Sequence, residues 1–449
     1  MPETDASAAH GVTFSDAARF WIKLGFVNFG GPAGQIALMH HELVERRRWI
    51  GERRFLHALS YCTLLPGPEA QQLAIYIGWL LHRTIGGIVA GLAFILPAFV
   101  LMMGLAWTYS AHADVTWVSG IFAGLAAAVV GIVAVAVVRL ASRAVRGPAL
   151  AGVAAAAFLA IHVVGVPFPL VIGGAAAAGV LLRARPAQHG AAGDADDVVI
   201  GDEEASAPHT QPSWSRSFRV LAVGLTVWWA PLLVVAAWRG GGDTLTQEAF
   251  FFSRAAVVTF GGAYAVLAYV KQAAVAQYGW LSATDMAAGL GLAESTPGPL
   301  IMVTEFVGFL AAYRFPGGLH PVLAGMIGAT VTTWATFAPC FLFVFIGAPF
   351  VERLRGNRRL GSALAGVTSA VVGVIASLAL SFGASVLFDR TTSLHPFRTQ
   401  IAMPVWSTID AFAVAVAVAA AVAIHRFRVN VVWVVVAAGA LGWARSFVR

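Results

Sequence analysis

LLPGPEAQQLAIYIG at residues 64–78 and STPGPLIMVTEFVGF at residues 295–309 each set Pro-Gly-Pro inside an otherwise apolar run. A proline inside a helix removes a backbone hydrogen bond and clashes with the preceding turn, at roughly 3 kcal/mol or more. One chain that breaks two apolar helices in the same way is using one device twice. The two motifs lie 231 residues apart, Gly67 against Gly298. At the same offset Phe29-Gly30-Gly31 falls on Phe260-Gly261-Gly262, Trp49 on Trp280, Phe20 on Phe251 and Lys23 on Arg254. Further on the offset becomes 242, so that Pro97 matches Pro339, Gly124 matches Gly366 and Val129-Val130-Gly131 matches Val371-Val372-Gly373. Matches of Trp, Pro-Gly-Pro and Phe-Gly-Gly in one register identify a duplication.

The chain has 449 residues, of which 59% are hydrophobic and 11% charged, against about 25% charged in soluble domains. Apolar runs at 86–107, 119–138, 220–238, 362–380 and 401–424 reach the ~20 residues that cross a hydrocarbon core of ~30 Å. They lack the alternation of membrane strands. The expected fold is an all-α polytopic membrane protein, multi-pass in a bacterial inner membrane, whose partner is the lipid bilayer. The net charge of +7 is accounted for by Lys and Arg at cytoplasmic helix ends, so no nucleic-acid partner is expected. The polar start MPETDASAAHGVTFSD has no basic region ahead of an apolar one, and no cleaved signal peptide is expected. Cys62 and Cys340 lie in apolar segments without metal-like spacing. The absence of a phosphate-binding Gly-x-x-x-x-Gly-Lys-Ser/Thr loop argues against an ATP-driven pump. The reading is a non-enzyme with no metal and no cofactor.

The expected organisation is a first repeat at 14–146, a helical hairpin at 147–184, a disordered acidic linker at 185–216 and a connecting helix at 217–247. A second repeat at 248–388 and C-terminal helices at 389–449 follow. Equivalent loops carry opposite charge bias. Arg46, Arg47, Arg48, Arg53 and Arg54 have no basic counterpart in 277–285, whereas Arg353, Arg355, Arg358 and Arg359 have none in 109–117. The repeats are therefore expected to be inserted upside down relative to each other. Residues 55–65 and 18–31 span only about half a bilayer before their breaks, which suggests re-entrant half-helices, with kinked crossings as the alternative.

Inverted repeats with broken helices are the mark of secondary transporters, whose substrate sits between the repeats. A helix that restarts after Pro68, Pro299, Gly34 or Gly262 offers free N–H groups and about +0.5 charge, so four converging starts would give roughly +2, a match for a tetrahedral oxydianion. The expected binding set is Lys23, Asn28, Gly30, Gly31, Gly34, Pro66, Gly67, Pro68, Gln72, Arg254, Gly261, Gly262, Pro297, Gly298 and Pro299. Lys23 and Arg254 enter it as ionisable groups in apolar segments, snorkelling to the interface being the alternative. Glu69, Glu294 and Glu305 flank the Pro-Gly-Pro motifs as candidates for ion coupling, although a carboxylate in a first helical turn also has a structural role.

FGGPAGQIALMHHELVERRRWI, LLPGPEAQQLAIYIG and ILPAF, with TFGGAYAVL and STPGPLIMVTEFVGFLAA in the second half, resemble the chromate ion transporter family in its long two-repeat form. The resemblance implies chromate efflux and an inverted two-repeat architecture. Glu69 stands where that family often has an uncharged polar residue. Sulfate or molybdate transport is the alternative, since these anions share shape and charge with chromate, and sulfate would compete. Anion-channel behaviour also stays open, as does a homodimer. A membrane reductase would need a flavin, haem or cysteine site, for which the sequence offers no candidate.

Overall fold

In a computed structural model the chain is described at residues 12–28, 31–63, 65–112, 115–145, 147–184, 213–258, 263–350, 358–394 and 401–447. The acidic linker, Phe29-Gly30 and Gly261-Gly262 lie outside these residues. The first repeat opens with α1 (Phe14–Val27), a break, and α2 (Gly31–His40), which runs into a π-helical turn at His41–Arg46. After α3 (Glu52–Cys62) comes the Pro-Gly-Pro turn, then α4 (Glu69–His112) and α5 (Thr116–Ala144). α6 (Pro148–Leu159) and α7 (Phe168–Leu181) follow, and the connecting α8 starts earlier than expected, at Trp214–Arg239. The second repeat runs through α9 (Thr244–Val258), α10 (Ala263–Lys271), a π-helical turn at Gln272–Gln277, α11 (Ala283–Ser295), α12 (Val303–Arg314), α13 (Pro321–Gly347) and α14 (Arg358–Leu387).

α4 is not one crossing. Forty-four residues would reach about 66 Å, twice a bilayer core, and the chain folds back at His82 and Arg83, which have non-helical backbone angles. Its short arm corresponds to α12 and its long arm to α13. A pair of glycines tightens each hairpin, Gly78 against Gly86 and Gly308 against Gly328, where a methyl group would meet the facing carbonyl. The apolar run at 401–424 is not one helix either. Ile401–Pro404 pairs as β2 with β1 (Thr391–Leu394), and α15 (Ala411–His425) starts only where Asp410 caps it by accepting from the amides of Phe412 and Ala413.

The duplication extends to single hydrogen bonds. The amide of Trp49 donates to Leu43 at 2.8 Å, and that of Trp280 to Ala274 at 2.8 Å. Arg48 has a positive φ of 52° where its counterpart Gly279 has 63°. Phe20 meets Trp49 edge to face at 5.2 Å, and Phe251 meets Trp280 at 6.0 Å. One slot changes character. Arg47 lies over Phe20 and Trp49, while its counterpart Tyr278 stacks on Trp280 at 4.4 Å. Arg46 and Arg47 also bond Glu42; burial alone would raise that carboxyl, and the two guanidinium hydrogen bonds outweigh it and hold it below its ordinary range.

The terminal hairpins belong to this symmetry. α15 and α16 (Val431–Arg445) follow α6 and α7 at an offset of 263, Ala411 against Pro148 and Val431 against Phe168. They pack in exchange: Gly124 and Gly131 of α5 face Ala438 and Ala417, while Gly366 and Gly373 of α14 face Ala175 and Ala154. Reciprocal contacts of this kind arise from a two-fold axis. The opposite charge bias of equivalent loops in the sequence fits an axis in the membrane plane, as in inverted-repeat transporters.

Candidate functional site

Both Pro-Gly-Pro turns need their glycine. Gly67 has φ of 120° and Gly298 of 115°, a region that favours glycine. A Cβ at Gly67 would lie 2.8 Å from Cys340 Sγ and from Gln72 Nε2, and one at Gly298 would collide with Ala98. Cys340 follows Pro339 and Ala98 follows Pro97, at the offset of 242. Each turn is thus seated on the proline helix of the other repeat, which puts both breaks at the interface between the halves.

The breaks also touch directly. The Gly298 amide donates to the Asn28 carbonyl at 2.9 Å, and Gln35 Nε2 donates to the Gly298 carbonyl. The Asn28 side chain is fully buried with neither amide atom bonded. Gln71 beside the first turn is in the same position, while Gln72 donates to the Pro66 carbonyl at 2.7 Å. Buried polar groups are ordinarily bonded, so these unbonded amides, each with a donor NH2 and an acceptor oxygen, are candidates for a ligand site. Gln35 and Gln71 were not in the expected set. Their type was the available signal, an amide in an apolar helix adjoining a break.

α4 begins directly at Glu69, whereas after Pro299 a 3₁₀ turn at Leu300–Met302 precedes α12. α2 starts at Gly31, three residues before the expected Gly34, because Pro32 suits a first helical turn. Gly34 therefore lies within the helix. α10 starts at Ala263, directly after Gly262. The side chains of Lys23 and Arg254 are both exposed, and Arg254 Nε turns back to the Phe250 carbonyl. A charged group seated on an apolar helix does not tell from sequence which face it takes.

Access differs between the halves. At the first turn Gly67 and Pro68 are buried and Leu65, Pro66 and Glu69 half-buried, while at the second Thr296, Pro297, Gly298, Pro299, Glu294 and Glu305 are all buried. The second pair of short helices is latched: Arg314 holds Asp285 through two bonds of 2.8 and 3.1 Å, and Tyr109 of the first repeat donates to Asp285 at 2.6 Å. The equivalents of Asp285 and Arg314 at offset 231 are Arg54 and Arg83, two like charges that cannot pair with each other. Lys271, at the end of α10 and over the Phe382 ring at 4.9 Å, is a further cation absent from the expected set. Among the described residues no group of His, Cys, Asp and Glu could hold a metal ion.

A family model described as "Chromate transporter" matches residues 15–180 and 246–443, so each match takes in its terminal hairpin. The chromate transport protein of Pseudomonas aeruginosa is 32% identical over 95% of this chain and 91% of its own. That of Cupriavidus metallidurans is 29% identical over 88% and 89%. A probable chromate transport protein of Synechococcus elongatus is 30% identical over 84% and 86%. No solved structure matches the chain.

Proposed function

The chain belongs to the chromate transporter family, and we propose on that premise that it exports chromate from the cytoplasm of a bacterium, across the inner membrane, as a secondary transporter. The observation that carries the site is the junction of the two breaks, where Gly298 bonds Asn28 and Gln35 while the Asn28 amide stays free. A tetrahedral dianion accepts hydrogen bonds on every oxygen. The free amides of Asn28 and Gln71 and the N–H groups that begin α2 and α4 supply donors without a fixed positive charge. A site without a bound cation favours release, because the anion is held by dipoles alone.

The membrane potential drives such export. Moving one charge across 100 mV is worth ~2.3 kcal/mol, so a dianion leaving a negative interior gains about 4.6 kcal/mol, roughly three decades of gradient. The half-buried first break and the latched second break correspond to a state reached from the arginine-rich, cytoplasmic side. The test is chromate uptake into inside-out vesicles with sulfate and molybdate as competitors. Saturable uptake that grows with an interior-positive potential supports export; uptake that sulfate abolishes at equal concentration assigns the site to sulfate instead.

A further inference from the structure

Glu248 belongs to none of the features described so far. It sits on α9, fully buried, with neither carboxyl oxygen bonded. Its Oε2 borders the crossing of Gly308 and Gly328, 2.9 Å from where a Cβ at Gly328 would stand. The same crossing meets the Thr332 hydroxyl, which is also fully buried and unbonded. Glu305 precedes Gly308 by three residues and Thr336 follows Thr332 by four, so helical spacing continues the strip along the α12–α13 seam. Both are buried and unbonded. At the other end Asp243, five residues before Glu248, is paired with Arg239 at 2.9 Å beside the loop at Gly317. A file of unpartnered polar groups thus runs from the edge of the second repeat toward its Pro-Gly-Pro turn.

An unpartnered carboxyl in an apolar interior is far cheaper neutral than charged. The elements packed on α9 bring it no compensating cation. α13 presents hydroxyls, α12 presents Glu305, α8 brings Arg239, which Asp243 already holds, and the Lys271 of α10 lies over Phe382. At the equivalent positions of the first repeat stand Ala17 and Ala74, so the feature exists in one half only.

We propose that Glu248 is a proton-binding site of the transport cycle, loaded past Asp243 and linked through Thr332 to Glu305, and that proton movement along this file accompanies chromate in the opposite direction. The inference rests on the chromate assignment above and makes the coupling ion a proton. Glu248 takes up a proton when it is reached from the outer edge and releases it toward the breaks, and no covalent bond changes.

Purified protein in liposomes at alkaline pH, where chromate stays a dianion, with the voltage clamped to zero, separates the two claims. Chromate–chromate exchange needs only the anion site. Accumulation against a gradient needs the proton. One pH unit should support about tenfold accumulation per coupled proton in the wild type. Glu248→Gln should retain exchange and lose that accumulation, and Glu248→Asp should restore part of it. Accumulation by Glu248→Gln equal to wild type overturns the proposal. A second readout needs no variant: chromate movement by the wild type should shift an internal pH dye in weakly buffered liposomes. Exchange without any dye response overturns the proton and leaves chromate transport standing, whereas absence of exchange in the wild type overturns the chromate assignment itself.

Discussion

The two repeats share a backbone and differ in chemistry. Their π-helical turns, their Pro-Gly-Pro motifs and the positive-φ pairs Arg48/Gly279 and Gly67/Gly298 fall at one offset along the sequence. Around the breaks the first repeat carries Asn28, Gln35, Gln71 and Gln72, at whose equivalents stand Thr259, Val266, Met302 and Val303. The second carries Glu248, Glu294 and Glu305, opposite Ala17, Thr63 and Ala74, while the first carries the single Glu69, opposite Leu300. In the proposed cycle the two-fold-related halves offer two ways into one centre, with the amides serving an oxyanion and the buried carboxyls a proton.

The largest expected effect breaks the shared part. Gly67→Leu and Gly298→Leu should each abolish chromate flux per inserted protein, since a side chain there meets both a disfavoured φ, at about 1–3 kcal/mol, and the proline helix of the other repeat. Normal flux in one variant and none in the other would show that only one turn borders the substrate. Next comes the divergent part. Gln35→Leu removes the side chain that ties the second turn to the first, and losing a hydrogen bond of about 1 kcal/mol should raise the KM for chromate roughly fivefold. Val266→Gln, the reciprocal change, should not compensate. Asp285→Asn weakens the latch and leaves Arg314 with one charge fewer to pair, so a cysteine placed at 296 should become reactive from the outer side. Unchanged reactivity would mean that packing alone closes the second break. The smallest effect is expected for Lys23→Gln and Arg254→Gln. Their side chains are exposed, and chromate KM should stay within about twofold because exposed charges act weakly at a distance. A loss of flux in either would return these cations to the substrate path.

The duplication and the breaks were legible because Trp, Pro and Gly are read through backbone demands that a single sequence displays. Gly67 and Gly298, each held between two prolines, mark turns where only glycine suits the backbone. The foldback of α4 was legible from charge rather than from backbone chemistry: His82 and Arg83 include neither Gly nor Pro, but they interrupt the apolar sequence just before the run at 86–107. The equivalence of the two terminal hairpins, each expected as helices, escaped for a different reason. Their offset of 263 follows a second insertion, the strand pair at 391–404, and Ala-rich helices such as Pro148–Leu159 carry no rare residue to set a register. The exposure of Lys23 and the isolation of Glu248 depend on which helix face meets which neighbour. In a membrane protein the lipid face and the packed face are equally apolar, so periodicity does not distinguish them.

Opposite insertion of the two halves is the central claim, and one equivalent pair tests it directly. Arg48 and Gly279 occupy the same left-handed position after their π-helical turns, and both are exposed. Single cysteines at 48 and at 279, in a background with the buried Cys62 and Cys340 replaced, can be labelled in intact cells by a membrane-impermeant maleimide. The cysteine at 279 should label from outside, and that at 48 should label only after the membrane is opened. Labelling of both from the same side would contradict inverted repeats.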